Sequence, residues 1–346
     1  MALTPKENLL ITLNGGKPEE IQTYGFGPMP GATEPVANCY FEPEICSGHR
    51  FRGGGIDLWG VNWVGNAETA NGLIPEPGNF ILDDITRWRE VIHAPDLSTI
   101  DPEEDYRKQL AGWEKWGSTR ETSAVTINLH AGYFQDLVSF MGFENAFLAM
   151  YEEPDEVYAL MDYICDFYCR VLDLYMPVVK PDIVGLMDDA ASERSLFMSP
   201  QMYEDLFLPF HRRQAKYGVD LGLPVTMHCC GHAEELIDLW LSIGVKGWNP
   251  AQPSNDLAGI KKKYGNSLVL QGGWGTNNRL LSADVTDEEI RQSIRDTFEM
   301  LAPGGGFCYG GGFLGAIGDT EMRRRSKVLN DEAKYLAKTF YKTHPD

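Results

Sequence analysis

The densest run of chemically active side chains is Leu223-Pro-Val-Thr-Met-His228-Cys229-Cys230-Gly231-His232, an apolar stretch that ends abruptly in imidazole and thiol groups. Successive side chains of a strand point to opposite faces, so His228 and Cys230 share a face and Cys229 takes the other. A further soft ligand stands in Gly304-Gly-Gly-Phe-Cys308-Tyr-Gly-Gly-Gly312, where the glycines let backbone come close to a bound group. One imidazole and two thiolates suit zinc. Three protein ligands leave a fourth position open, which distinguishes a working site from a closed structural one. The candidate metal ligands are therefore His228, Cys230 and Cys308. Cys229 and His232 compete with them, and a cysteine at a strand end is also commonly a small buried hydrophobe.

A second cluster, Asp182-Ile-Val-Gly-Leu-Met-Asp188-Asp189-Ala-Ala-Ser-Glu193, is an apolar run that terminates in paired carboxylates. Asp188 and Asp189 are candidate catalytic groups, and the competing explanation is helix capping and solvation at a strand end. Gly247-Trp-Asn-Pro-Ala-Gln-Pro253 and Leu270-Gln-Gly-Gly-Trp-Gly-Thr276 carry amide and aromatic groups suited to a flat or amphipathic ligand. They make Asn249, Gln271 and Trp274 candidate cofactor-binding residues. No glycine-rich stretch fits a dinucleotide fingerprint or a phosphate-binding loop. Cys165 and Cys169, four apart among Phe167, Tyr168 and Leu172, read as helix packing.

These residues need strand ends to hold them. From Ala124 onward, short apolar runs alternate with longer segments of helical period, the grammar of repeated β-then-α units. The strand candidates are Val125–Leu129, Ile183–Met187, Pro224–His228, Val245–Trp248, Leu268–Gly272 and Gly306–Tyr309. Ser199-Pro200 opens a helix running to about Tyr217, where Gly218 can close it. Thr286-x-x-Glu289 is a capping box, followed by Ile290, Ile294, Phe298 and Leu301 on one buried face. Residues 1–120 resist such reading because Gly, Pro and aromatic residues interrupt every period. Within them only Ile56–Val64 looks extended.

The chain has 346 residues with 43% hydrophobic and 23% charged residues, the balance of a soluble globular protein. No composition break marks a linker, so residues 1–346 are expected to form one domain, irregular over 1–120 and with clear β/α units over 121–346. Thirty Lys plus Arg face 50 Asp plus Glu, a net charge of −20, which opposes partners recognised by neutralising phosphate. Nucleic acid and membrane surfaces are therefore not expected as partners. The opening residues lack a basic flank and apolar run, and no segment reaches the ~20 apolar residues of a membrane span. A cytoplasmic protein with reduced thiols is expected, since seven unevenly spaced cysteines do not suit a framework of bridges.

The second two-thirds of the chain resembles the uroporphyrinogen decarboxylase superfamily in an ordered series of blocks. These are Pro181-Asp-Ile-Val-Gly-Leu-Met-Asp-Asp, Ser199-Pro-Gln-Met-Tyr, Met227-His-Cys-Cys-Gly-His, Ile243-Gly-Val, Pro250-Ala-Gln-Pro, Leu270-Gln-Gly-Gly and Ala302-Pro-Gly-Gly-Gly-Phe. The resemblance implies a (β/α)8 TIM barrel, here with an irregular N-terminal region, whose strands open into an active-site mouth at their carboxyl ends. His228 and Cys308 would then share one rim. Membership does not choose the activity, because this barrel hosts porphyrinogen decarboxylases and zinc-dependent corrinoid methyltransferases.

Two departures disfavour the decarboxylase. The Met-Arg-Gln-Ala-Gly-Arg segment with which such enzymes grip substrate carboxylates is absent, and the His-Gly after their last strand appears here as glycines in Tyr309-Gly-Gly-Gly-Phe313. By contrast, His228-x-Cys230 with Cys308 is similar to the zinc pattern of the methylcobalamin:coenzyme M methyltransferase branch. That resemblance implies Zn2+ on these three residues and methyl transfer between a corrinoid (cobalamin) and a small thiol acceptor or methoxy-type donor. The chain has no Asp-x-His-x-x-Gly corrinoid signature, so a separate corrinoid protein is the implied partner, with Asp188 or Asp189 orienting substrate or a ligand. The rivals are a metal-independent decarboxylase, methyl transfer to homocysteine, and a non-catalytic barrel that binds a corrinoid or porphyrin.

Overall fold

A computed structural model describes residues 2–65, 72–313 and 319–344. Seven parallel strands make one curled sheet, in the order β1 (Asn38–Phe41), β5 (Ala124–Asn128), β6 (Ile183–Met187), β7 (Val225–His228), β8 (Val245–Ala251), β9 (Val269–Gly273) and β10 (Phe307–Gly310). Three short strands, β2 (Gly55–Ile56), β3 (Asn62–Val64) and β4 (Ile74–Pro75), form a separate antiparallel sheet. Every strand from β5 onward lies within one residue of its expected start. The sheet is parallel because each link is a helix-bearing crossover, and its strands are buried on both faces, so they read as continuous apolar runs.

The sheet's two edges, β1 and β10, are both met by one segment of the N-terminal region. Tyr309 donates its N–H to Gln22 O (2.9 Å), Tyr24 donates to Tyr309 O (2.7 Å), and Tyr40 donates to Phe26 O (2.8 Å). Thr23 bridges Tyr309 in parallel sense. The irregular sequence over 1–120 thus contains strand-like backbone that its Gly and Pro residues conceal. The expected extended stretch Ile56–Val64 is instead a tight hairpin, because the Asp57 carboxylate accepts the Trp59 and Val61 N–H groups and the Trp63 indole N–H.

Helices cover the outside. Thr286 and Glu289 complete their capping box, and Ile290, Ile294, Phe298 and Leu301 are buried. The helix expected over Ser199–Tyr217 is two, Pro200–Leu206 and Leu208–Val219, parted at Phe207. Pro209 explains the break, since its ring removes a donor and excludes regular helix before it. Gly218 does not end the second helix. It packs there against the sheet, where a Cβ would come within 2.8 Å of Val225 Cγ2. At the N-terminal end of the strands, the helix Pro5–Leu13 inserts Leu9 and Leu13 beside Ala37, Ala124, Ile183, Val269 and Cys308. Among the described residues, no helix is long and apolar enough to cross a membrane.

Candidate metal centre

His228 is the last residue of β7 and Asp189 follows the end of β6, so both stand at the C-terminal rim of neighbouring strands. Cys230 Sγ lies 3.6 Å from His228 Nε2, and Asp189 Oδ1 lies 3.9 Å from the same nitrogen. The ligand atoms of Asp189, His228 and Cys230 all fall within 4.8 Å of one another, the one such trio among the described residues. Each side chain is half-buried, reachable from the mouth yet sheltered.

The ring of His228 is fixed from behind. Its Nδ1–H donates to Asn249 Oδ1 at 2.9 Å, and the Tyr24 hydroxyl donates to the same oxygen at 2.9 Å while lying 3.3 Å from Nδ1. Asn249 Nδ2 donates in turn to Gln271 Oε1 at 3.0 Å. A proton held on Nδ1 leaves the Nε2 lone pair facing Cys230 and Asp189, the orientation that supporting hydrogen bonds give a ligating imidazole. Burial depresses the His228 pKa against the opposing pull of the Asp189 charge, and the positive charge of Arg50 depresses it further.

Asp189 is placed by Gln135 Nε2 (3.1 Å) and by the Cys230 N–H (2.7 Å). Burial, with the adjacent Asp189 charge, pushes the Cys230 thiol up to about 12. After Cys230 the chain passes close beneath residues 191–192. Only a glycine fits there, since Gly231 has φ +90° and a Cβ would sit 2.5 Å from Ser192 O.

The other expected site residues fall elsewhere. Cys308 is the second residue of β10, fully buried in the apolar cluster at the N-terminal end of the sheet. Burial raises its thiol to about 12, with Gln271 opposing through a hydrogen bond. The structure does not bring it to His228, and Asp189 stands in the third position instead. The physical reason lies in the strand: His228 ends its apolar run, whereas Cys308 begins one.

Asp188 is sealed from the mouth. Its carboxylate accepts the N–H groups of Phe134 (3.0 Å) and Gln135 (3.2 Å) at a helix start and pairs with His211 Nε2 at 3.1 Å. Asn249 and Gln271 are buried supports, not an open surface. Trp274 turns outward, its indole N–H donating to Ser293 Oγ at 3.0 Å. Cys229 is buried in the main core, and His232 Nδ1 lies 2.6 Å from Ser254 O. Sequence reading passed over Tyr24, which touches His228 and Asn249 from the irregular region, and Gln135, which holds Asp189.

A sequence model of the family described as Uroporphyrinogen decarboxylase (URO-D) matches residues 127–312, more than half of the chain. Among solved structures, a methyltransferase from Methanosarcina mazei superposes with a TM-score of 0.64 at 14% identity, covering 96% of this chain and 99% of that one. A sugar phosphate isomerase/epimerase from Parabacteroides distasonis ATCC 8503 superposes with a TM-score of 0.34 at 12% identity, covering 72% of this chain and 80% of that one. No curated protein sequence matches. The M. mazei likeness, at that identity, speaks for the fold.

Proposed function

The chain belongs to the uroporphyrinogen decarboxylase family, and on that premise we propose that it is a zinc-dependent methyltransferase. The methyl group moves between a corrinoid carried by a separate protein and a small thiol or methoxy-type substrate. The fold in this reading is a closed (β/α)8 barrel, with residues 22–26 serving as the strand between β10 and β1. The observation that carries the proposal is the convergence of Asp189, His228 and Cys230 at the C-terminal rim.

The donor set fits zinc. Ligands on a tetrahedral ion at ordinary Zn–S and Zn–N bond lengths are roughly 3.3–3.8 Å apart. The observed 3.6 and 3.9 Å need little adjustment. One thiolate, one imidazole and one carboxylate would occupy three positions and leave the fourth for substrate. Bound zinc supplies a Lewis acid able to favour a thiolate or polarise an ether oxygen.

The chain's own groups prepare that position. Asn249 keeps the proton on His228 Nδ1 and Tyr24 screens the same atom from water, so the imidazole meets the mouth with its lone pair. Gln135 and the Cys230 N–H hold the Asp189 carboxylate toward the trio. The Phe26 ring, 5.9 Å from the His228 ring, walls one side with apolar surface that limits competing water.

The test is zinc stoichiometry of the purified protein, measured beside the loss of the methylcobalamin spectrum with and without thiols. One equivalent of zinc, with methyl transfer that requires an added corrinoid, is expected. Wild-type protein that contains no zinc, or that decarboxylates a porphyrinogen, would replace this reading with the decarboxylase one.

A further inference from the structure

The same rim carries a group of charged side chains that the metal trio does not use. Glu42 follows the end of β1, and His130 follows the end of β5, its partner strand. Arg50 reaches them from the helix Glu44–Phe51. Arg50 Nη1 donates to His130 Nδ1 at 2.6 Å, and Glu42 lies behind both, 3.5 Å from Nη1 and 3.6 Å from His130 Nδ1.

Two features separate this arrangement from an ordinary surface ion pair. His130 has φ +54°, the left-handed region that non-glycine residues seldom enter, and the Asn128 carboxamide oxygen holds it there by accepting the His130 N–H at 2.6 Å. Strain of this kind persists where surroundings impose it, and it gathers at functional sites. The second feature is the set of donors left over. His130 Nδ1 accepts from Arg50, so its remaining N–H is on Nε2, and no described residue bonds Arg50 Nε or Nη2. The Arg50 side chain is 41% exposed, while the Glu42 side chain is 14% exposed and sits behind the donors. Burial works to raise the Glu42 pKa, but its neighbours, Arg50 and Ser47 among them, outweigh it and hold the carboxyl below its ordinary range.

The pair shares the rim with the metal trio, since Glu42, His130 and Asp189 follow the C-terminal ends of the consecutive parallel strands β1, β5 and β6. On a chain of net charge −20, a guanidinium with free donors at the mouth is a local exception that focuses anions inward. We infer that Arg50 and His130 recognise a carboxylate on the small substrate, whose reacting end meets the Asp189–His228–Cys230 trio. The guanidinium fork takes the two carboxylate oxygens, and the His130 Nε2–H adds a third donor. This assignment of substrate class, a small organic acid, rests on the metal-centre reading above.

The experiment compares 3-mercaptopropionate with 3-mercaptopropan-1-ol by calorimetry on the full chain, with zinc content measured in the same samples. Wild type should bind the acid about tenfold or more tightly than the alcohol. R50Q should bring the acid's affinity down to that of the alcohol. His130→Gly, which accepts the left-handed backbone freely, should remove part of the preference while keeping the fold. Equal affinities in wild type, a preference that survives R50Q, or no detectable binding of the acid at about 10 mM would each overturn the inference. Zinc content separates the two failures. A zinc-loaded protein without the preference loses this inference alone, and a zinc-free protein whose preference depends on Arg50 loses the metal reading and keeps this one.

Discussion

The two ends of the curled sheet each hold a cysteine, one just past the end of β7 and one on β10, and they make opposite uses of it. At the C-terminal rim, Cys230 is half-buried beside Asp189 and His228. At the N-terminal end, Cys308 is sealed among Leu9, Leu13, Ala37, Ala124, Ile183 and Val269. Burial raises both thiols to about 12, so acidity does not tell them apart. What separates them is company. Cys230 has two further ligand atoms and an opening, whereas Cys308 has methyl groups and one amide. A thiol becomes a metal ligand through the groups around it.

The widest gap between the two ends should come from Cys230→Ser. Zinc content should fall below about one tenth of wild type and methyl transfer by more than about 100-fold, because an alkoxide is a far poorer zinc ligand than a thiolate. Metal analysis of the folded variant checks it, and full zinc retention would remove Cys230 from the trio.

The adjacent carboxylates sharpen the contrast between rim and interior. Asp188→Asn breaks a buried pair with His211 and weakens two backbone contacts, so chemical denaturation should show a loss of about 3 kcal/mol with zinc retained. Asp189→Asn should behave in the reverse way, with zinc affinity down at least about tenfold and stability nearly unchanged. If the two variants are indistinguishable, the division of labour between them is wrong.

Acid should probe the rim from another direction. His49, beside Trp63 and near Arg50 and Arg52, has its pKa lowered to about 4, first by burial and then by the positive charges of Arg50 and Arg52. Unfolded, it takes up a proton near pH 6.5. Between those values the unfolded chain binds more protons, so stability falls as pH drops from about 6.5 to about 4, by up to about 3 kcal/mol. Denaturation of His49→Gln across that window should show a correspondingly flatter profile. An unchanged profile would mean that His49 takes up its proton without cost in the folded protein.

The smallest effect is expected at the other end. Cys308→Ser places a hydroxyl in an apolar cluster where Gln271 offers it a polar partner, at a cost of about 1–2 kcal/mol, with zinc content as in wild type. Loss of zinc in this variant would return Cys308 to the ligand set.

Sequence carried the β/α alternation from Ala124 onward because each strand is a short apolar run between segments of helical period, a signal that local text preserves. It also put His228 and Cys230 on one face, since alternation within a strand is a two-residue property. Depth was harder to see. Whether a residue stands at the rim or the base depends on where its run begins and ends, and Cys308 sits at the start of a run that opens at Gly306. The run Asn38–Phe41 is four residues long between turns, too short to show a period. Tyr24, Arg50 and His130 belong to the site through contacts with residues 80 to 225 positions away, which no local pattern encodes. Trp274 is expected at a ligand because its stretch sets aromatic and amide groups at a strand end, but its indole N–H goes to a hydroxyl on the covering helix.

The segment Gln22–Phe26 lies between the first and last strands of the sheet, so Tyr24 and its backbone partner Tyr309 stand far apart along the chain. A contact across that span is costly to close and forms slowly. Asp189, His228 and Cys230 all lie inside the span, so a folding chain gathers the ligands of the centre before the contact from Tyr24 aims the imidazole. Metal taken up at that stage would meet a ring free to turn, so the competent centre is a property of the fully folded sheet.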